Sequence, residues 1–226
     1  MATTKRPTPN SSSSKMFPII ISVVVIVMVA IVVLSVTSNK KEVASQSKIE
    51  YSDTVNVSAA SVKGKIGESK LAPYDSSTSD TEVGKIVPQI SAQDFTGKVQ
   101  TVVPGTRPYV LAFVAHWCPH CRKEVPKLVK MKKDGQLPSD VEFIAIATGT
   151  SESKPNYPPS TWLLDEEWPW KKLVDDRSGT IASNFGLDGY PYLVFVKADG
   201  TISQRMSGEQ EDSVYISAAE AISEKK

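Results

Sequence analysis

Hydrophobic and polar positions divide the 226-residue chain into a polar start, an uncharged run, a second polar stretch and a globular part. Residues 17–36 carry no charged side chain and are dominated by isoleucine and valine. As a helix, this run would be about 30 Å long, which is enough to cross the hydrocarbon core of a bilayer. We therefore predict a single transmembrane helix at 17–36, preceded by a disordered N-terminal tail at 1–16 that is rich in serine and proline.

A cleaved signal peptide is the competing interpretation of the uncharged run. Signal peptides usually have a shorter apolar region of about 7–15 residues, which ends in small residues around the cleavage site. The residues Ser35-Val36-Thr37 match such a site weakly, so an uncleaved anchor is favoured. Lysine and arginine are nearly balanced on the two sides of the run, and the charge pattern leaves its orientation open.

The second polar stretch, 37–82, is rich in Ser, Lys, Thr and Asp, and its apolar residues stand singly. This composition predicts a flexible linker. Two alternatives stay open: a short strand near 49–57, and packing of the segment around Tyr74 on the domain. The globular domain is predicted at 83–226.

Within 83–226, continuous apolar runs alternate with segments of helical spacing. Short continuous runs are typical of buried strands, whereas apolar residues three and four apart are typical of amphipathic helices. The turn residues Thr96-Gly97-Lys98 predict a small hairpin at 91–99, and Asp199-Gly200 predicts another near the C-terminus. The predicted strands are 109–115, 141–147, 192–196 and 201–207, and the predicted helices are 122–131, 161–167, 179–185 and 211–222.

The composition is that of an ordinary globular protein, with a net charge of +1, 23% charged residues and 40% hydrophobic residues. It lacks the clustered basic face that nucleic-acid binding requires, so no nucleic-acid partner is predicted. Both cysteines and both histidines lie within His116-Trp117-Cys118-Pro119-His120-Cys121. Two cysteines in one motif leave none for structural bridges or for a four-cysteine zinc site.

Cys118 and Cys121 lie where a predicted strand ends and a predicted helix begins. Unpaired backbone N–H groups at a helix N-terminus favour an anion, so we expect Cys118 to be held as a thiolate and to be the attacking sulfur. Cys121, one turn along, is positioned to resolve the adduct. A purely structural bridge is disfavoured because so short a loop restricts the unfolded chain little. The motif therefore predicts a redox-active disulfide between these cysteines, with no other cofactor and no metal.

The motif Trp-Cys-Pro-His-Cys at 117–121 follows an apolar strand, and Pro126 lies five residues beyond the second cysteine. This arrangement resembles the active-site helix of the thioredoxin superfamily. The longer run 117–126 resembles the membrane-anchored TlpA/ResA-like branch, and the Pro-His pair is also found in DsbA-type oxidants. The resemblance covers the chain from about residue 84 onward. It implies a thioredoxin-like α/β fold, with a central mixed sheet flanked by helices and an N-terminal hairpin extension.

The resemblance also implies roles for the residues around the cysteines. Pro191 would follow a cis bond and lie against them, and the Tyr190-Pro191 backbone would bind an extended substrate segment. His120 would stabilise the Cys118 thiolate, and Trp117 and Pro119 complete the motif. A stabilised thiolate makes the disulfide form more oxidising.

Three neighbouring positions refine this expectation. Ala112 stands where thioredoxin carries a buried aspartate that assists proton transfer. Glu124 is a possible substitute, although its position on the helix predicts an exposed side chain. His116 is expected to be a surface or packing residue rather than a catalyst.

The function that the resemblance implies is that of a thiol–disulfide oxidoreductase, single-pass in the cell membrane with its catalytic domain outside the cytoplasm. Its partners would be proteins with thiols or disulfides and a membrane or extracytoplasmic redox partner. The Pro-His pair and Ala112 favour an oxidant, whereas the resemblance of the whole chain favours a reductant.

Two other functions compete with this one. The two cysteines and two histidines are ligands suited to Cu(I), so a copper-binding metallochaperone is the alternative. Copper-delivery proteins of this fold, however, space their cysteines more widely and add a distant histidine. A peroxidase of the peroxiredoxin type is disfavoured, because that family needs a threonine three residues before its reactive cysteine and the residue here is Ala115.

Overall fold

A computed structural model of the chain describes residues 49–225. The predicted tail at 1–16, the predicted transmembrane helix at 17–36 and the first part of the predicted linker lie outside these residues. Within residues 49–225, no helix combines the length and the apolar character needed to span a bilayer.

Strands and helices alternate along most of the described chain. The strands are β1 Asn56–Ser58, β2 Ser61–Val62, β3 Lys65–Ile66, β4 Gln89–Gln93, β5 Val99–Val102, β6 Tyr109–Val114, β7 Glu142–Ala147, β8 Lys172–Val174, β9 Tyr192–Val196 and β10 Ile202–Ser207. The helices are α1 Pro119–Lys133, α2 Pro159–Asp165, α3 Thr180–Asn184 and α4 Asp212–Ile222. Each strand and helix predicted within 83–226 is present, with ends shifted by a few residues.

The central sheet has five strands in the order β10-β9-β6-β7-β8. Strands β6, β7 and β8 are parallel to one another. Strand β9 runs antiparallel to β6, and β10 runs antiparallel to β9. The sheet is therefore mixed, and the predicted α/β architecture is confirmed.

Strand β6 lies in the middle of this sheet, and all six of its residues are buried. Val110, Ala112 and Val114 belong to a core cluster that includes buried residues of α1 and α4. Leu111 and Phe113 belong to a second cluster that includes buried residues of α3. Successive side chains of a strand point to opposite faces, so a strand covered on both faces reads as a continuous apolar run.

The prediction of a flexible linker at 37–82 is wrong for the part that the structure describes, 49–82. Strand β1 pairs with β4, which also pairs with β5, so the predicted hairpin is part of a three-stranded antiparallel sheet. Leu71 is 1% exposed and belongs to the second core cluster. The ring of Tyr74 packs against that of Tyr192, with 5.8 Å between their centroids. Residues 49–82 thus belong to the same compact unit as the central sheet.

A buried ion pair fastens this segment to the domain. Arg205 Nε donates to Asp80 Oδ2 at 2.7 Å, and its Nη1 donates to the carbonyl oxygen of Ala72 at 2.8 Å. The Arg205 side chain is 2% exposed and that of Asp80 is 12% exposed. Although burial opposes it, the hydrogen bonds and charge of Arg205 hold the pKa of Asp80 below its usual range. This ion pair helps to attach the segment 49–82, which has few apolar residues of its own, to the domain.

Candidate active site

Cys118 is the N-cap residue of α1, and Pro119 is the first residue of the helix. Strand β6 ends four residues earlier, and the chain turns so that the Cys118 N–H donates to the Ala115 carbonyl oxygen at 3.0 Å. Proline suits the first helical position because its missing N–H would have had no partner there. The Cys118 sulfur therefore lies at the positive end of a 15-residue helix, where an anion is favoured.

The two cysteines are free thiols in unlike surroundings. Cys118 is 5% exposed, whereas Cys121 is completely buried. Burial, and to a smaller extent the nearby charges of Cys118 and Glu124, raise the pKa of the Cys121 thiol strongly. One sulfur thus borders the surface at a helix N-terminus, and the other lies in the core and holds its proton.

Tyr190 and Pro191 lie beside Cys118, as the thioredoxin resemblance implies. The peptide bond between them is cis. The Cys118 Sγ lies 3.7 Å from the Tyr190 carbonyl oxygen, and the Tyr190 ring makes an edge contact with Trp117 at 5.8 Å between centroids. Strand β9 begins at the residue after Pro191 and pairs with β6, which explains how Cys118 and Tyr190 meet although they are 72 positions apart.

A loop at 149–157, which we call the active-site loop, lies against the residues that precede Cys118. The Trp117 indole Nε1 donates to the Gly149 carbonyl oxygen at 2.7 Å. The Lys154 ammonium lies 5.4 Å from the centre of the Trp117 ring. The tryptophan of the motif is thereby held by the active-site loop.

His116 is a packing residue with a specific hydrogen-bonding role. Its side chain is buried, its Nδ1 lies 2.6 Å from the Pro155 carbonyl oxygen, and its Nε2 accepts the Ser151 N–H at 3.1 Å. Because Nε2 accepts a hydrogen bond, the ring is neutral and its proton is on Nδ1. Burial lowers the pKa of His116, which favours this neutral form.

His120, predicted to stabilise the thiolate, has a carboxylate partner of its own. Its Nδ1 lies 2.9 Å from Glu209 Oε2, and Lys123 lies 3.3 Å from the other oxygen of Glu209. The hydrogen bond from His120 is the main reason that the pKa of Glu209 is lowered. The negative charge offsets that of an imidazolium, so His120 does not act on Cys118 as an isolated cation.

Glu124 is buried, and the prediction that its side chain is exposed is wrong. It is 1% exposed, and its Oε1 accepts from Lys127 at 3.0 Å. Its other oxygen makes no hydrogen bond to any residue of the described chain. Ala112 is fully buried in the same cluster as both cysteines, so β6 supplies no acid at this point. Glu124 is the carboxylate whose charge acts on Cys121.

The four side chains suited to copper do not converge. His116 is directed into the active-site loop, and His120 is directed toward Glu209. Within residues 49–225, no group of three or more His, Cys, Asp or Glu side chains is arranged to hold a metal ion. What the site brings together is two sulfurs, one buried carboxylate and the backbone of Tyr190.

The chain resembles known redox proteins over about 60% of its length. The Pseudomonas aeruginosa thiol:disulfide interchange protein DsbE is 23% identical over 136 residues, which are 59% of this chain and 71% of that protein. The probable nucleoredoxin 1 of Arabidopsis thaliana is 28% identical over 145 residues, which are 62% of this chain and only 22% of that protein.

The fold is shared with the thioredoxin domain of a thiol-disulfide oxidoreductase from Bacteroides vulgatus. That structure matches with a TM-score of 0.50 and 16% identity, and the match covers 62% of this chain and 98% of that domain. The thioredoxin-like fold is thereby confirmed. A family model described as the AhpC/TSA family matches residues 83–205. Because this match spans more than half of the chain, the protein belongs to the AhpC/TSA family.

Proposed function

We propose that this protein is a membrane-anchored thiol–disulfide oxidoreductase that exchanges disulfides with protein substrates outside the cytoplasm. The observation that carries the proposal is the pair of unlike thiols: Cys118 at the N-terminus of α1 and Cys121 in the core behind it. Thiol–disulfide exchange requires an attacking thiolate and a second thiol within reach, and no cofactor beyond them.

In the reducing direction, the Cys118 thiolate attacks one sulfur of a substrate disulfide. A Cys118–substrate bond forms, the substrate disulfide breaks, and the first substrate sulfur leaves as a thiolate. Cys121 then attacks the Cys118 sulfur and expels the second substrate thiolate. The substrate has gained two electrons, and the protein has become the Cys118–Cys121 disulfide.

The second step requires that Cys121 lose its proton, which burial opposes. Glu124 is the buried carboxylate that acts on Cys121, and one of its oxygens makes no hydrogen bond within the described residues. We assign to Glu124 the role of accepting this proton. In the oxidising direction the same steps run backward, and Glu124 returns the proton to Cys121 as it leaves.

The substrate segment is proposed to lie along Tyr190 and Pro191. The Tyr190 carbonyl oxygen adjoins the Cys118 sulfur at 3.7 Å, so a backbone paired there would bring its own sulfur to the attacking position. Trp117, in edge contact with the Tyr190 ring, forms the adjacent wall. Backbone pairing tolerates many sequences, which suits an enzyme that acts on proteins.

The membrane anchor and the extracytoplasmic location are supported by the sequence alone. The run 17–36 is long enough to span a bilayer and carries no charge. The resemblance to anchored thioredoxin-like proteins supports a catalytic domain outside the cytoplasm. Protease treatment of intact cells that carry the protein tests this: cleavage from outside is expected, and full protection would contradict it.

The exchange activity is tested on the purified full-length protein with insulin reduction by dithiothreitol and with oxidation of a dithiol peptide. Activity is expected for the wild type and is expected to be lost in Cys118→Ser. A wild type without activity in either assay would refute the proposal. The reduction potential then assigns the direction, because thioredoxin lies near about −270 mV and strong oxidants lie near about −120 mV.

Substrates are identified by the variant Cys121→Ala. Without its resolving thiol, Cys118 should remain joined to its substrates as mixed disulfides that reducing agents release. The double variant Cys118→Ser/Cys121→Ala is the control, since it retains no sulfur to form an adduct. Equal capture by both variants would show that the recovered proteins are not bound through Cys118.

A further inference from the structure

The segment Ile49–Asp53, which we call the strap, contacts the active-site loop. The Tyr51 hydroxyl donates to the Thr150 carbonyl oxygen at 3.2 Å. The guanidinium of Arg177 lies 3.8 Å from the centre of the Tyr51 ring, which fixes the ring in place. The Ser160 hydroxyl, just beyond the loop, donates to Glu50 at 2.7 Å.

The backbone of the strap is also bound at both ends. The Ile49 N–H donates to the Phe95 carbonyl oxygen at 3.0 Å, and the Ser52 N–H donates to the Asp175 carbonyl oxygen at 3.1 Å. Ser52 is buried, at 3% exposure. The strap is thus fixed to the domain and can serve as a support for what it touches.

The same loop makes hydrogen bonds to residues of the redox motif. Gly149 accepts from Trp117, and the Ser151 N–H donates to His116. A Cβ at Gly149 would lie 2.6 Å from the Tyr190 hydroxyl oxygen, so the loop also packs closely on the residue whose carbonyl adjoins Cys118. Tyr51 therefore contacts the loop directly, and the loop in turn contacts Trp117 and Tyr190, which line the site.

From these contacts we propose that the strap positions the redox site, with Tyr51 as a positioning residue that acts through the active-site loop. This inference rests on the proposed function, since it concerns the reactivity of Cys118. Tyr51 contacts neither sulfur. It keeps Gly149 and Ser151 in place, and these residues hold Trp117 and His116 on the N-terminal side of Cys118. Residues 49–53 thereby act on the site through the active-site loop.

The variant Tyr51→Phe isolates this coupling. It removes one hydroxyl and retains the ring on which Arg177 stacks. The loss of one neutral hydrogen bond corresponds to about a fivefold change in a local equilibrium. We expect the Ser151 amide to exchange its hydrogen about fivefold faster, because the loop opens more often.

The matched control is Tyr74→Phe, which makes the same chemical change in the same N-terminal stretch. Tyr74 packs on Tyr192 and lies under the Arg205 guanidinium, and within residues 49–225 its side chain makes no hydrogen bond or ring contact to the active-site loop. Both variants are prepared in the full-length protein. The readouts are hydrogen exchange at Ser151, the alkylation rate of Cys118 in the reduced protein, and the melting temperature.

The expected result is faster Ser151 exchange and severalfold faster Cys118 alkylation in Tyr51→Phe, with neither change in Tyr74→Phe and similar melting temperatures for both. Unchanged Ser151 exchange would overturn the proposal, since the strap would then not support the loop. Faster exchange with unchanged Cys118 alkylation would overturn it too, because the strap would be structural only. Failure of the proposed function is a different outcome, in which the wild type itself lacks exchange activity.

Discussion

Replacing Glu124 by glutamine tests the role of a buried carboxylate that acts on Cys121. Glutamine retains the shape of the side chain and removes its capacity to accept a proton at neutral pH. Glu124 is 1% exposed and Cys121 is completely buried, so bulk water has little access to either group. We therefore expect the attack of Cys121 on the mixed disulfide to slow, while the first attack by Cys118 is little changed.

The magnitude follows from what a positioned base contributes, which is about 10²- to 10⁴-fold in rate. The expected loss is near the lower limit, about 10²-fold at pH 7. It should shrink as the pH rises, because a larger fraction of the Cys121 thiol is then already ionised and needs no base. Stability should fall by only about 1 kcal/mol, since Lys127 is 29% exposed and also donates to the Gln210 carbonyl oxygen at 2.9 Å.

The assay is a stopped-flow measurement with a chromogenic aromatic disulfide. Its first thiolate reports attack by Cys118, and its second reports release by Cys121. Asp134→Asn is the matched control, because this carboxylate ends the same helix, is exposed and pairs with Lys130. If Glu124→Gln released the second thiolate as fast as Asp134→Asn at pH 7, the assignment of Glu124 as proton acceptor would be refuted.

Three further predictions concern stability. Burial lowers the pKa of His116 in the folded protein. The contribution of the neutral ring to the free energy of unfolding should therefore be complete above the ordinary histidine pKa of about 6.5 and should decrease as the pH falls below that value. Urea denaturation of His116→Gln at several pH values should not show this decrease. Arg205→Met leaves the Asp80 carboxylate buried without its cation, and the free energy of unfolding measured with urea should fall by about 3 kcal/mol. The second substitution Asp80→Leu in the same chain should restore much of this loss. A loss under about 1 kcal/mol would contradict the ion-pair argument. A chain truncated to 83–226 loses β1 and Leu71 from the second core cluster and should melt earlier than the full-length protein, and an unchanged melting temperature would contradict it.

The central sheet could be predicted because burial on both faces leaves a strong pattern. Strand β6 is a continuous apolar run and β7 is one after its first residue, Glu142, and the two six-residue strands pair one to one. The redox motif between them fixes where the first helix starts. Pattern and motif agree at this point, so the sequence predicts the fold and the position of both sulfurs.

The attachment of 49–82 could not be predicted in the same way. This stretch has no periodic apolar pattern, and it contributes single residues such as Leu71 to a core formed by other segments. Its attachment depends on partners far away in the chain, above all on Arg205, which is 125 residues from Asp80. The prediction of a linker rests on local composition, which carries no information about ion pairs between distant residues.

The side chains around the cysteines show the same division. Helical spacing alone predicts an exposed Glu124 side chain. It does not reveal that α4 places the buried Tyr215 in the same core cluster as the cysteines. Burial and the Glu124 carboxylate raise the pKa of Tyr215. The signal in the sequence is a charged residue next to Val125 and Leu128 on the apolar face of α1, and a search for such residues would have found Glu124.

Glu209 is the residue that most changes the expectation for His120, and its removal tests that expectation. In Glu209→Gln, the surroundings of Cys118 lose a negative charge while Lys123 stays. A more positive environment stabilises the thiolate and hence the reduced protein, so the reduction potential should become less negative. The shift should stay below the roughly 30 mV that corresponds to a tenfold change in the equilibrium constant, because the pair is exposed and screened. It should shrink further in 1 M salt, where the screening length is about 3 Å. Equilibration with glutathione measures the potential, with Asp134→Asn as control. A shift to more negative values would mean that Glu209 does not offset the charge of His120, and that the histidine influences Cys118 by another route.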